Sequence, residues 1–119
     1  MELSLYERLG GSEGITKIAS DALDLHLKHP AIATRYSKSN IPELKKAAAN
    51  FFIMGTGGPN VYEGKDMLTT HKGMNISDVE FNAVIDDILQ ALEMNNVGQK
   101  EKEEVLFVLY SMKKEIVAV

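Results

Sequence analysis

A chain of 119 residues, 45% hydrophobic and 25% charged, has the make-up of one globular domain, with enough apolar surface for a modest core and too little for two. Its formal charge of −4 argues against a dedicated nucleic-acid binder and points to small molecules or proteins as partners. The absence of cysteine excludes disulfides, thiolate nucleophiles, iron–sulfur clusters and thiolate zinc sites. No run approaches the roughly 20 apolar residues of a membrane span, and the N-terminus lacks the basic-then-apolar layout of a signal peptide. A single cytoplasmic domain over 1–119, without nucleic-acid or membrane partners, is therefore expected.

Ser4 and Glu7 have capping-box spacing for a short helix that Gly10-Gly11 ends. Ser12 is expected to cap the next segment, where Ile15, Ile18, Ala19, Ala22, Leu23 and His26 recur at helical spacing until His29-Pro30 interrupts them. Residues 31–40 show no clear period. Pro42 suits the first turn of a helix that carries Leu44, Ala47, Ala48, Phe51 and Phe52 on an inward face. Gly55, Gly57, Gly58 and Pro59 stop it, and a long functional loop is expected from 57 to about 70, ending at His71.

Ser77 and Glu80 repeat the capping box, with Ile76 and Phe81 placed as a hydrophobic staple. Phe81, Val84, Ile85, Ile88, Leu89 and Leu92 form an apolar stripe that Gly98 breaks, and Val105, Leu106, Leu109, Met112 and Ile116 form another. The chain is thus expected to close with two long helices. No segment has the two-residue alternation of strands, so the fold class is all-α.

His71 sits between two apolar helices, on a turn that the staple would orient. A single imidazole facing an apolar pocket is what a heme iron needs on its proximal side, because neutral imidazole is a good iron ligand. The ordinary alternative is a surface or hydrogen-bonding histidine. His26, on an apolar helix face, and His29, at a helix end where its charge would suit the dipole, read better as core and capping residues.

Leu5-Tyr6-Glu7-Arg8-Leu9-Gly10-Gly11, the aromatic pair Phe51-Phe52, the second pair Gly57-Gly58, and then Tyr62, Gly64, Met67 and His71 follow one another in an order that resembles the truncated hemoglobin family, group I, over nearly the whole chain. The resemblance implies a two-over-two helical sandwich around heme b (iron protoporphyrin IX), with His71 as the iron ligand. It places Leu44, Ala48, Phe51, Phe52, Met67, Phe81 and Val84 around the porphyrin, each of which is also plain core by spacing. Lys45, Lys46 and Lys72 are the candidate cations for the propionates.

The same resemblance implies an unusual distal side. This group sets a Tyr on the first long helix and polar side chains on the second, where this chain has Leu23, Leu44, Ala47 and Ala48, none of which donates a hydrogen bond. Tyr36 falls at the corner after the first long helix. Its hydroxyl either reaches the gas ligand or lies in solvent while the ring stacks on the porphyrin. The implied function is reversible binding of oxygen, carbon monoxide or nitric oxide, with oxygen binding as the family default, oxygen transport as an expected use and a monomer expected. The alternatives are nitric oxide dioxygenation, served by an electron-donating reductase, and a redox or sensor globin made six-coordinate through Lys45 or Lys46.

Overall fold

Ser4, Asn40 and Ser77 each begin a helix by the same device, a side-chain oxygen that accepts the backbone N–H three residues on. At Ser4 and Ser77 the third residue is Glu7 or Glu80, whose carboxylate reaches back to the cap and completes the expected capping boxes. The computed structural model describes residues 3–62 and 67–118, with the backbone alone at Leu68. Gly64, with the rest of 63–66, lies outside the described residues. The helices are α1 (Leu5–Arg8), α2 (Gly11–Lys28), α3 (Ile41–Gly55), α4 (Met67–His71), α5 (Asp78–Met94), α6 (Gln99–Ser111) and α7 (Lys113–Ile116), with a 3₁₀ turn over Ala33–Tyr36.

Helix α2 is the hub, packing on α3 and on α5, which in turn meets α6. The core between them is Ile15, Ile18, Ala22, Phe81, Ile85, Ile88, Leu92, Val105 and Leu109, from the expected stripes of α2, α5 and α6, joined by Ile53 of α3. The all-α expectation holds. Among the described residues the sole β pairing is an isolated parallel bridge between Ile76 and Val117.

Four local expectations are corrected. Ser12 does not cap α2, whose cap is Gly10, two residues earlier; the Tyr6 hydroxyl accepts the Ser12 N–H at 3.2 Å and lies 2.8 Å from the Ser12 hydroxyl. On α3 the buried residues are Ala49 and Ile53, whereas Ala47 is exposed, because the face turned toward α2 is offset by about one position from the apolar row read in the sequence. The 57–70 stretch is not loop to its end, since its last residues wind into α4, a single turn too short for any period to show. The last apolar stripe is divided at Met112, where α6 stops and α7 turns back onto α4. That break has no Gly or Pro behind it and is imposed by tertiary contacts: Ala118 N–H donates to the Ile76 carbonyl at 2.9 Å, and the Lys113 ammonium pairs with Asp78 at 2.9 Å.

Tyr6 explains why a glycine pair follows α3. Its N–H donates to the Thr56 carbonyl at 2.8 Å, and its ring lies flush on Gly58. A Cβ at Gly58 would stand 2.4 Å from the Tyr6 ring and 2.8 Å from the Ile53 carbonyl oxygen. Gly58→Ala is therefore expected to cost about 1–3 kcal/mol through overpacking. Denaturant unfolding of the variant checks this, and a loss below about 0.5 kcal/mol, the usual scatter of neutral surface changes, would contradict the packing described.

Candidate functional site

Four segments converge on one cavity of about 300 Å³: the 3₁₀ turn with Arg35 and Tyr36, the start of α3 with Leu44, the end of α4 with His71, and the first turns of α5 with Glu80, Phe81, Val84 and Ile85. Ile32, Met74, Ile76, Leu109 and Ile116 make the rest of the wall mostly apolar, with Ser39 and Thr70 also on it. The Ser77 capping box sets the direction of α5 here, and the two staple residues Ile76 and Phe81 are both buried at its base.

His71 is half-buried at the C-terminal end of α4. Its Nδ1 lies 2.8 Å from the Met67 carbonyl oxygen one turn back. A carbonyl can only accept, so Nδ1 carries the proton and donates, and Nε2 keeps its lone pair. Gly73, at φ +87°, then reverses the chain between His71 and Ile76, a backbone conformation that L side chains rarely adopt.

Arg35 locks the rim opposite. Its guanidinium forks onto Glu80, with Nε 2.6 Å from Oε2 and Nη2 3.0 Å from Oε1, while Nη1 donates to the Met74 carbonyl at 3.1 Å. One side chain thereby ties the 3₁₀ turn to α5 and to the turn after His71. The Arg35 contact, helped by the Ser77 cap, lowers the Glu80 carboxyl to about 2.

Tyr36 is held from behind. The His26 ring stacks on it at a centroid distance of 5.8 Å and an interplanar angle of 10°. His26 in turn places Nδ1 2.7 Å from Asp87 Oδ2, and both residues are buried. Burial pushes the His26 imidazole below its ordinary value, and the Asp87 carboxylate, which pulls the other way, does not overcome it. Burial also pushes the Tyr36 hydroxyl up, with the Asp87 charge adding to it.

The comparisons with known proteins agree with this geometry. Residues 4–118 match the bacterial-like globin family. The chain belongs to that family, in group I of the truncated hemoglobins. It is 26% identical over 113 residues to the group 1 truncated hemoglobin of Tetrahymena pyriformis, which covers 95% of this chain and 93% of that one. It has the same identity over 113 residues to a group 1 truncated hemoglobin of Mycolicibacterium paratuberculosis, covering 95% and 83%. The crystal structure of the Tetrahymena pyriformis protein in its Fe(III) form superposes with a TM-score of 0.95 over 98% of this chain and all of that one, at 26% identity. A group II truncated hemoglobin of Bacillus anthracis shares the fold at a TM-score of 0.89 and 21% identity, over the whole of this chain and 94% of that one. As a truncated hemoglobin, the chain is a heme globin that binds gas ligands.

The residues present fit a heme. An apolar cleft carries a half-buried imidazole whose Nε2 keeps its lone pair, the donor a porphyrin iron takes. No group of three or more His, Asp or Glu suited to a bare metal ion occurs among the described residues.

Of the residues expected at the site, His71, Tyr36, Leu44, Phe81 and Val84 come together on the cavity wall. Met67 contributes its carbonyl to His71. Ala48 and Phe51 are half-buried one and two turns beyond Leu44 on α3, and Phe51 meets Tyr62 edge-on at 5.3 Å. Phe52 faces the other way, into the core beside Leu9, Ile15 and Ile88. Leu23 is buried on α2, while Ala47 and Lys72 are exposed, and none of the three belongs to the cavity wall. Lys45 pairs with Asp24 on α2 at 2.8 Å, and Lys46 lies in the same α2–α3 groove, so the structure does not bring either to the cavity.

Arg35, Glu80 and the His26–Asp87 pair were not read from the sequence as site residues. A signal for the pair existed, because His26 falls on the apolar face of α2 and Asp87 stands three residues after Val84 and four before Ala91, within the apolar face of α5.

The Arg35 clamp carries a pH signature. A carboxyl depressed to about 2 stabilises the fold fully above its unfolded value near 4.5, and that contribution is lost as pH falls through about 2. The stability gap between the parent and Arg35→Ala should be constant above pH 4.5 and shrink from there toward pH 2. Unfolding curves across that window measure it, and a gap independent of pH would contradict the assignment.

Proposed function

We propose that this truncated hemoglobin holds heme b in the cavity with His71 Nε2 as the iron's axial ligand and binds diatomic gases reversibly on the side of Tyr36. The observation that carries the reading is the His71–Met67 hydrogen bond, which fixes the tautomer and leaves a nitrogen lone pair at an apolar wall. Heme, when bound, would supply the iron that takes oxygen, carbon monoxide or nitric oxide.

The chain's own residues would do the rest. Phe81, Val84 and Leu44 wall the porphyrin from water, and Phe51 and Ala48 extend that wall along α3. The Arg35–Glu80 clamp holds the rim, where Arg35 is the cation on the cavity wall available to the propionates, and Lys72 lies exposed next to His71. Leu44 on the cavity wall, and Leu23, Ala47 and Ala48 beyond it, offer no donor, and Tyr36 is the wall residue assigned to hydrogen-bond the ligand. Oxygen, which gains most from a donor, is then released faster than in globins with several distal donors, while carbon monoxide loses little. This favours gas binding over nitric oxide dioxygenation, which needs a long-lived oxygen complex and a reductase.

His71→Gly tests the axial ligand. The variant should take up little heme and melt at the temperature of the heme-free parent, because heme binds only the native state. Full occupancy with an unchanged absorption spectrum would overturn the assignment. Leu23→Tyr tests the gas side: Leu23 is buried on α2 outside the cavity wall, and a longer Tyr side chain that reaches the ligand would supply a donor worth about 1–1.5 kcal/mol and slow oxygen dissociation roughly five- to tenfold in a stopped-flow measurement. An unchanged rate would place Leu23 away from the ligand.

A further inference from the structure

We propose that His26 and Asp87 are positioning residues for gas binding, which fix the Tyr36 ring so that its hydroxyl stands over the His71 cavity. The inference rests on the reading of that cavity as a heme site and goes beyond it by naming what controls its gas-side donor.

Three observations carry it. First, His26 on α2 and Asp87 on α5 are 4% and 6% exposed and joined by a 2.7 Å hydrogen bond. A buried polar pair of this kind adds little stability over an apolar pair of equal volume, so its use lies in the geometry it imposes. The bond at Nδ1 fixes the plane of the imidazole, and burial keeps the ring neutral.

Second, that plane is within 10° of the Tyr36 ring, and the two rings are stacked. Tyr36 stands at the end of a one-turn 3₁₀ segment whose own backbone specifies little. Its neighbour Arg35 is held by Glu80 on one side, and His26 supplies the matching hold on the other. Third, Tyr36 is half-buried and lines the cavity, on the same wall as His71. Burial of the ring raises this hydroxyl above its ordinary value and keeps it protonated, so it is a donor available to a molecule bound in the cavity.

The test uses the full-length, heme-loaded protein and two readouts that a merely structural role would not move, the C–O stretching frequency of the ferrous carbon monoxide complex and the dissociation rates of oxygen and carbon monoxide. Tyr36→Phe should raise the stretching frequency and speed oxygen release about tenfold, the loss of one hydrogen bond, with carbon monoxide release changed less than about twofold. His26→Ala and Asp87→Leu should move both readouts in the same direction by a smaller amount. His26→Phe, which keeps a ring for the stack, should recover most of the parental oxygen rate. Combining His26→Ala with Tyr36→Phe should add nothing to Tyr36→Phe alone, since both act through one hydroxyl.

If His26→Ala and Asp87→Leu lower the melting temperature but leave the stretch and the oxygen rate at parental values, the pair is structural only and the inference is wrong. Should either variant fail to fold, His26→Phe with the parental stretch but a tenfold faster oxygen release would equally overturn the stacking role. A Tyr36→Phe variant indistinguishable from the parent would overturn it at the donor while leaving His71 and the heme reading intact. A parent protein that takes up no heme would remove the reading on which both stand.

Discussion

The hydrogen bond from His71 Nδ1–H to the Met67 carbonyl is the point from which the site is organised. It is made inside a single helical turn, which has little stability of its own and depends on its surroundings. Those surroundings are α7, packed on α4, and the Ile76–Val117 bridge with the Ala118 N–H donated to Ile76, which tie the end of the chain to the turn just past the histidine. The break at Met112 therefore has a purpose in the fold. A helix that ran straight on through 116 would carry Val117 away from Ile76 and leave α4 without that support.

Helix α5 ties the two sides of the cavity together. Its capping residue Glu80 receives the Arg35 fork, its staple residue Phe81 floors the cleft, and two turns on Asp87 receives His26. All three contacts run to different parts of the chain, so the position of Tyr36 relative to His71 is set by side chains of α5 more than by the irregular backbone at 31–40. The exposed end of this arrangement is a charge-assisted pair at the rim, and the buried end is a histidine–carboxylate pair. The first resists acid until the Glu80 carboxyl titrates near 2, and the second is buried.

Most of the fold was legible in the sequence, and for identifiable reasons. The two capping boxes, Pro42 and the stripes of α2 and α5 are signals in which local preference and tertiary packing agree. The misreadings fall where tertiary contact overrides local pattern. Ser12 is displaced as a cap by the hydroxyl of Tyr6, a residue six positions away. On α3 the apolar row serves two different surfaces, since Leu44 turns to the cavity and Phe52 to the core, and a single stripe in sequence cannot say which. His71 and Tyr36 were legible as site residues, and His26 as a buried one. The bond that joins His26 to Asp87 spans 61 positions and has no local trace beyond a charged residue on an apolar face.

The central claim is that His71 alone supplies the protein's ligand to the heme iron, with the opposite side left to gases. Absorption spectra of the heme-loaded protein, recorded ferrous and then ferrous with carbon monoxide, test it most directly. The account predicts a five-coordinate ferrous spectrum that converts on adding carbon monoxide. A six-coordinate low-spin ferrous spectrum before any gas is added, or no heme spectrum at all, would contradict it.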